Sequence, residues 1–438
     1  MPQLAEARLV VGRVVVHGDI KTSVRVLSAR MHLFPGDEVN FEILTSAEQR
    51  LIESELFTQA RVYVDLPRAE AARHMYLEFR DFPIDVHVAA TEKQSWFVAP
   101  IGSFGSGDYA GGLAYGDRNL GGRDVQLVSA LQIGQSRSFI FVGYRDPRLV
   151  DAPLTWGAAG LFRYEQIRFF SGHREVLRVP TRVGGGEAEF GWVLSPHLYA
   201  TIGFSARYQR VYQEEVRDPE ATLPAINRLS GRIFRLVFQA MYDNTIAPTG
   251  LRRGVRLLMK NEVADRFWGS QFDYNKFEGR VEVYGRFGWN YPSLTFKTIF
   301  DFPTSTRGVP ITEMLRIGGT SLRGYLYNEF HGDTLVSAQV EDQVLVLRGI
   351  KVPLLRTRFN IAAAGFVDAA SLLERHPGGT AVELPVESRP KLKDVHTSVG
   401  AGFRIILPGV AIPAIKADLA YGIDVRSFAV AISIGGTG

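Results

Sequence analysis

The chain has 438 residues and no cysteine, which excludes disulfides, thiolate metal sites and cysteine nucleophiles. Its formal net charge is +4, but the basic residues are scattered and form no contiguous patch of the kind that binds nucleic acid. No apolar run reaches the roughly 18 residues that a membrane-spanning helix needs, so a helical membrane protein is excluded.

The first 85 residues carry local patterns in the order strand, helix, helix, strand, strand. Residues 22–31 and 45–57 predict the helices, the second of them capped by Thr45 or Ser46. The strands are predicted at 11–16, 59–66 and 73–80. This order predicts a small α+β domain over residues 1–85.

The N-terminus shows no signal peptide. Glu6, Arg8 and Arg13 interrupt the apolar residues near Met1, where a secretory leader has an unbroken apolar core. We therefore expect a mature or truncated chain that lacks upstream domains.

From residue 91 to residue 438 the dominant period is two. Val281 and Val283, for example, alternate with Arg280 and Glu282. One face of such a strand suits lipid and the other suits water, which is typical of a transmembrane barrel. Sixteen such strands are predicted, among them 183–193, 278–290, 333–347, 356–368, 395–407 and 413–422. A soluble β-sandwich would need a charged outer face. Here the more polar face of the strands would have to form its core, so a soluble β-sandwich is not expected.

One connection, residues 303–332, is too long for an ordinary hairpin loop and is rich in glycine, threonine and arginine. Arg323 lies at its centre, and a buried guanidinium needs an acidic partner. By strand parity, Glu341 on one following strand and Phe366 and Asp368 on the next face the barrel lumen. We therefore expect the loop to fold inward, so that both carboxylates hold Arg323.

Several stretches resemble one family. Leu322-Arg323-Gly324-Tyr325 resembles the [Val/Ile]-Arg-Gly-[Phe/Tyr] motif on the long sixth loop of the Omp85 family, and Gly365-Phe366-Val367-Asp368 resembles its Gly-Phe-x-Asp strand motif. The N-terminal element order resembles POTRA, the periplasmic module of that family. The resemblance implies an α+β N-terminal POTRA domain followed by a 16-stranded antiparallel transmembrane β-barrel, of the BamA and TamA kind.

That resemblance implies a function. It predicts an assembly factor in the outer membrane of a Gram-negative bacterium, with the POTRA domain in the periplasm and a lateral seam between the first and last barrel strands. Its partners would be unfolded outer-membrane β-barrel proteins, outer-membrane lipid, and accessory periplasmic proteins or lipoproteins. The seam is expected to be lined by Trp96, Phe97, Val98, Phe428, Val430, Ile432, Ile434, Gly435 and Gly436. The exposed POTRA edge is expected to be Arg61, Val62, Tyr63 and Val64.

Two alternatives remain open. One is a secretion transporter of the same superfamily that passes a dedicated exoprotein through the lumen, and the other is a passive outer-membrane pore. Enzyme motifs such as Gly-x-Ser-x-Gly and His-Glu-x-x-His are missing, and the nine histidines lack metal-ligand spacing. No enzymatic activity, metal or cofactor is therefore predicted.

Overall fold

The structure is a computed structural model. It describes residues 8–54, 56–65, 81–147, 154–171, 173–220, 225–226, 230–247, 249–305, 308–352, 357–373, 382–383, 394–407 and 413–435. The chain forms two compact units. The first comprises Met1–Val98, Tyr115–Val128 and Tyr144–Ala152, and the second comprises Ala99–Ala114, Ser129–Gly143 and Pro153–Gly438.

The N-terminal domain is a mixed three-stranded sheet with two helices. Its elements are β1 (Arg8–His17), α1 (Val24–Met31), α2 (Phe41–Glu53), β2 (Phe57–Val64) and β3 (Asp81–Glu92). The sheet order is β1-β3-β2, with β1 parallel and β2 antiparallel to β3. Apolar side chains of the helices and the sheet, including Leu27, Met31, Leu51, Val86 and Val88, form one core. The domain is POTRA-like, as predicted.

Two details of this domain differ from expectation. The cap of α2 is Asn40, whose side chain accepts a hydrogen bond from the Ile43 N–H at 2.8 Å, so the prediction of Thr45 or Ser46 was wrong. The helix begins earlier because Asn40 satisfies an otherwise unpaired N–H of the first turn. The third strand extends to Glu92, beyond the predicted domain end at residue 85, and the strand predicted at 73–80 lies outside the described residues.

The rest of the chain closes into a barrel of sixteen long antiparallel strands, as predicted. These are β4 (Trp96–Gly105), β5 (Asp108–Asp117), β6 (Gln126–Gly134), β7 (Arg137–Asp146), β8 (Leu154–Ser171), β9 (Arg174–Ser195), β10 (Leu198–Val211), β13 (Gly231–Asp243), β14 (Gly254–Ala264), β15 (Tyr274–Tyr284), β16 (Asn290–Pro303), β19 (Thr334–Val352), β20 (Thr357–Leu373), β22 (Val395–Ile406), β23 (Pro413–Gly422) and β24 (Ser427–Ile434). Five short strands complete the numbering: β11 (Glu215–Val216), β12 (Ala225–Ile226), β17 (Leu315–Ile317), β18 (Phe330–Gly332) and β21 (Val382–Glu383).

Residues alternate between the two faces of each barrel strand. On β15, Val281 and Val283 are exposed while Glu282 between them is buried, so the apolar side chains point outward and the charged ones inward. The strand predicted at 278–290 instead ends at Tyr284, because a turn closed by the Phe287 N–H to the Asn290 carbonyl follows it. In the described part of the chain, neither helix is long and apolar enough to cross a membrane.

Candidate functional site

The loop between β16 and β19 is held as a hairpin. β17 pairs with β18, and residues 318–329 form the tip between them. At Gly318 φ is +131°, and a Cβ there would lie 2.0 Å from the Leu326 carbonyl oxygen. The tip therefore requires glycine at this position, because any side chain would clash with backbone.

Arg323 at this tip is clamped by carboxylates of the barrel wall. Its Nε and Nη2 donate to the two oxygens of Asp368 on β20, at 2.7 and 2.6 Å. Its Nη1 donates to Glu341 on β19 at 2.6 Å and lies 3.4 Å from Asp418 on β23. The fork on Asp368 is the bidentate geometry in which arginine binds a carboxylate best.

The wall residues of this clamp lie on the inner barrel face. Val367, next to Asp368, is 47% exposed, whereas Asp368 itself is fully buried. Phe366, two residues before Asp368, places its ring centroid 3.3 Å from the guanidinium carbon of Arg323. The arginine is thus stacked on an aromatic ring as well as paired with acids. The structure brings Arg323, Glu341, Phe366 and Asp368 together in the lumen.

Three further charged residues join the network. Arg404 on β22 donates to Asp418 at 2.6 Å and to Glu341 at 3.0 Å, and Lys416 lies 3.6 Å from Asp418. None of the three was among the residues predicted for this site. Residue alternation along the strand could have identified two of them, because Lys416 and Asp418 share the inner face of β23 while Leu419 is exposed.

Burial and charge act in opposite directions on Arg323. Burial lowers its pKa, but the hydrogen bonds and charges of Asp368 and Glu341 outweigh burial and raise the pKa above its ordinary value. The guanidinium is charged at every pH in which the protein folds. The permanently charged guanidinium therefore lies among three acids of the wall, Glu341, Asp368 and Asp418.

Tyr325 and Gly324 fix the other side of the tip. The Tyr325 hydroxyl donates to the Asp424 carboxylate in the turn between β23 and β24, and it lies 2.9 Å from the Thr397 carbonyl oxygen. Gly324 has φ of +91°, and a Cβ there would lie 2.8 Å from the Gly422 nitrogen. Burial and the Asp424 hydrogen bond raise the pKa of the Tyr325 phenol, so it remains a donor. Leu322 is fully buried beneath the tip.

The tip also contacts the turn between β4 and β5. The Tyr327 N–H donates to the Ser106 carbonyl at 2.8 Å, and the Ser106 N–H donates to the Val430 carbonyl on β24 at 3.2 Å. The tip is thus bonded to turns on both sides of the junction between β24 and β4.

That junction closes the barrel over a short stretch. Residues 431–434 of β24 align with residues 105–102 of β4, whereas β23 and β24 align along all of 415–422. The seam residues Ile432 and Ile434 belong to the aligned stretch, and Phe428 and Val430 precede it on β24. Trp96, Phe97 and Val98 lie earlier on β4 and are exposed. Gly435 has φ of +69°, and Gly436 lies outside the described residues.

The predicted POTRA edge residues lie on β2. In the described part of the sheet, β2 pairs with β3 alone, and the Val62 N–H donates to the Glu48 carboxylate of α2 at 3.1 Å. Val62 faces the core, while Arg61 and Tyr63 face solvent. Across the described residues, no group of three histidine, aspartate or glutamate side chains is arranged to hold a metal ion.

Comparison with solved structures finds the same fold. BamA from Haemophilus ducreyi lacking POTRA domains 1-3 has a TM-score of 0.67 at 14% identity, covering 97% of this chain and 84% of that one. CdiB from Acinetobacter baumannii has a TM-score of 0.58 at 14% identity, covering 98% and 73%. CdiB from Escherichia coli has a TM-score of 0.51 at 9% identity, covering 99% and 91%.

Sequence comparison agrees with the fold. No curated protein sequence matches the chain. The Omp85 superfamily domain matches residues 119–432, which is well over half of the chain and includes the Arg323 loop and its wall partners. The chain therefore belongs to the Omp85 superfamily of outer-membrane β-barrel proteins.

Proposed function

We propose that this chain is an outer-membrane assembly factor that folds and inserts β-barrel clients at the seam between β4 and β24. The observation that carries the proposal is the short alignment of these two strands, in which residues 102–105 of β4 face residues 434–431 of β24, whereas β23 and β24 align along all of 415–422. So short a junction needs few backbone bonds broken to free both strand edges. An unpaired backbone group in hydrocarbon costs several kcal/mol. A free strand edge in the barrel offers those hydrogen bonds to an incoming client strand.

The loop supports this role by fixing the strands beside the seam. Arg323 ties the tip to β19, β20 and β23, and Tyr325 ties it to the turn before β24. A template strand is useful only if its neighbours keep their register while the client pairs. The role requires no catalytic residue, and we propose no enzymatic activity for the chain.

The POTRA-like domain completes the proposal. Placed in the periplasm, it would receive unfolded barrel proteins at the outer edge of β2, around Arg61–Val64, by adding a client segment as an extra strand that displaces Glu48 from the Val62 N–H. Accessory periplasmic proteins or lipoproteins would use the same kind of edge. Lipid surrounds the apolar outer face of the barrel.

A disulfide across the seam tests the proposal. Ser103 and Ser433 are aligned partners on β4 and β24, and the chain contains no cysteine that would compete. The variant Ser103→Cys/Ser433→Cys is compared with Ala420→Cys/Ala429→Cys, which places the same bond between β23 and β24, one strand away. Both variants are oxidised in membranes and assayed for the yield of several outer-membrane barrels.

We expect the seam disulfide to abolish assembly and reduction to restore it, while the control disulfide leaves assembly intact. Normal assembly with the seam fully oxidised would refute the insertase function. Reconstitution into liposomes with an unfolded barrel client gives the same comparison outside the cell.

A secretion transporter is the second candidate, favoured by the structural likeness to the two CdiB proteins. Depletion separates the candidates. Loss of an insertase lowers the amounts of many barrel proteins, loss of a transporter blocks one secreted protein, and loss of a passive pore changes only permeability.

A further inference from the structure

The long loop carries a second set of buried charges before its tip. Glu313 and Arg316 precede the Arg323 motif, and each faces a part of the barrel wall distant in sequence from the Arg323 partners. The family motif does not include them. Their contacts decide what holds this half of the loop.

Glu313 lies among cations on three strands. Its carboxylate oxygens are 3.2 Å from Arg235 Nη1 on β13 and 3.4 Å from Arg207 Nη1 on β10. Lys276 on β15 donates to the Glu313 backbone carbonyl at 2.8 Å. The neighbouring Thr312 hydroxyl donates to Gln209 on β10 at 2.5 Å. This half of the loop is therefore bonded to the wall through side chains and backbone.

The wall around Glu313 has an excess of positive charge. Its ion pairs comprise the cations Arg207, Arg235, Lys260 and Lys276 and the acids Glu187, Glu262 and Asp301. Glu313 supplies the missing negative charge. Burial raises the pKa of Glu313, but Arg235, Arg207 and Lys276 outweigh burial and hold the pKa well below its ordinary value.

The wall around Arg323 has the opposite imbalance. Its acids are Glu341, Asp368 and Asp418, and its cations are Arg404 and Lys416. Arg316 adds a third contact, since its guanidinium binds both oxygens of Glu165 on β8 at 2.8 and 3.3 Å. Loop charges and wall charges are thus complementary at three separate places.

We propose that Glu313 is a positioning residue that anchors the base of the loop independently of Arg323, so that the loop is bonded to two separate walls of the barrel lumen. One wall is β8, β10, β13 and β15, and the other is β19, β20 and β23. Release of the tip then leaves the base docked on its own wall. This inference does not depend on whether the protein inserts or secretes its client.

Two buried reporter positions test the proposal, because a single introduced cysteine is unique in this chain. Met314→Cys reports on the base and Leu322→Cys on the tip, as both side chains are buried. Each reporter is combined with Glu313→Gln or Arg323→Ala, and the rate of maleimide labelling is measured in folded barrels reconstituted in liposomes. Glu187→Gln is the matched control, because it removes another acid paired with Arg207 without touching the loop.

We expect Glu313→Gln to raise labelling of Met314→Cys about a hundredfold, as expected when a buried ion pair worth about 3 kcal/mol is broken. Labelling of Leu322→Cys should change little in that variant and should rise in Arg323→Ala. Glu187→Gln should change neither rate. The proposal is overturned if Arg323→Ala raises labelling of both reporters equally. It is also overturned if Glu313→Gln does not raise labelling of Met314→Cys. If Glu313→Gln fails to fold, Arg207→Gln weakens the same anchor from the wall, and the same two outcomes apply.

Discussion

Replacing Arg323 with alanine leaves Glu341, Asp368 and Asp418 to share two cations instead of three. Asp368 is fully buried and loses the bidentate fork that neutralises it. Breaking a buried ion pair by removing one partner destabilises a structure by about 3–5 kcal/mol. At about 1.4 kcal/mol per tenfold, the ratio of docked to undocked tip falls by a factor of roughly 10² to 4 × 10³.

The barrel itself should survive, because its sixteen strands are joined by backbone pairing that Arg323 does not supply. We therefore expect Arg323→Ala to retain heat-modifiable migration on gels, to expose the tip to protease, and to lower assembly activity. Arg174→Ala is the matched control, since Arg174 is exposed and its ion pair with Asp218 spans 3.9 Å. Arg323→Lys should recover part of the activity only, because an ammonium cannot reproduce the fork.

A second substitution separates two costs of Arg323→Ala: the loss of the contact itself, and the stranded charge, that is, a buried Asp368 carboxylate left without its cation. In Arg323→Ala/Asp368→Asn the buried carboxylate is neutral, so part of the lost stability should return. Unchanged growth, an unchanged outer-membrane profile and a protected tip in Arg323→Ala would refute this reasoning. A double variant no better than the single one would show that stranded charge is not the main cost.

Three further outcomes follow from the contacts of the loop. Gly324→Ala forces a side chain into φ of +91° and against the Gly422 nitrogen, so tip protection from protease should fall by at least tenfold. Tyr325→Phe keeps the ring but loses the hydroxyl contact with Asp424, which should cost about 1–3 kcal/mol of tip docking by the same protease assay. Burial, then the charge of Arg316, lower the pKa of His331 on β18 to about 3, so a β17–β18 hairpin released from the wall takes up a proton below about pH 6.5 and a docked one does not. Docking of this hairpin is therefore strongest above pH 6.5 and should weaken by about 2 kcal/mol at pH 5. Labelling of Met314→Cys, which lies in the same cluster as Phe169 beneath His331, measures this at both pH values, each taken relative to the same reporter in His331→Leu.

The local sequence pattern predicted which side chains of a barrel strand face inward and how many strands the barrel has. Strand parity placed Glu341, Phe366 and Asp368 on the inner face, because side-chain direction in a strand follows from residue count alone. The sixteen barrel strands were likewise predicted by counting the stretches in which apolar and polar residues alternate. The α2 cap was missed because Asn40 is followed by an exposed Phe41, which hid the start of the amphipathic pattern.

Contacts across the lumen could not be predicted in this way. Which inner-face charges meet depends on the stagger of the strands around the barrel and on the path of the loop. Asp418 and Arg404 were readable as inner-face residues, but their distance from Arg323 was not. Glu313 likewise gave no local sign that Arg207 and Arg235 would meet it.

The hydrogen bonds of Tyr325 and Tyr327 connect the two sides of the junction between β24 and β4 through the tip. The Tyr325 hydroxyl donates to Asp424 in one turn, and the Tyr327 N–H donates to the Ser106 carbonyl in the other. The two turns are therefore linked through three consecutive residues of one loop. Admitting even one extra strand separates these turns by about 4.8 Å, more than a hydrogen bond can stretch. If the junction between β24 and β4 opens as proposed, at least one of these two hydrogen bonds must break first, so junction opening and tip release are expected to occur together.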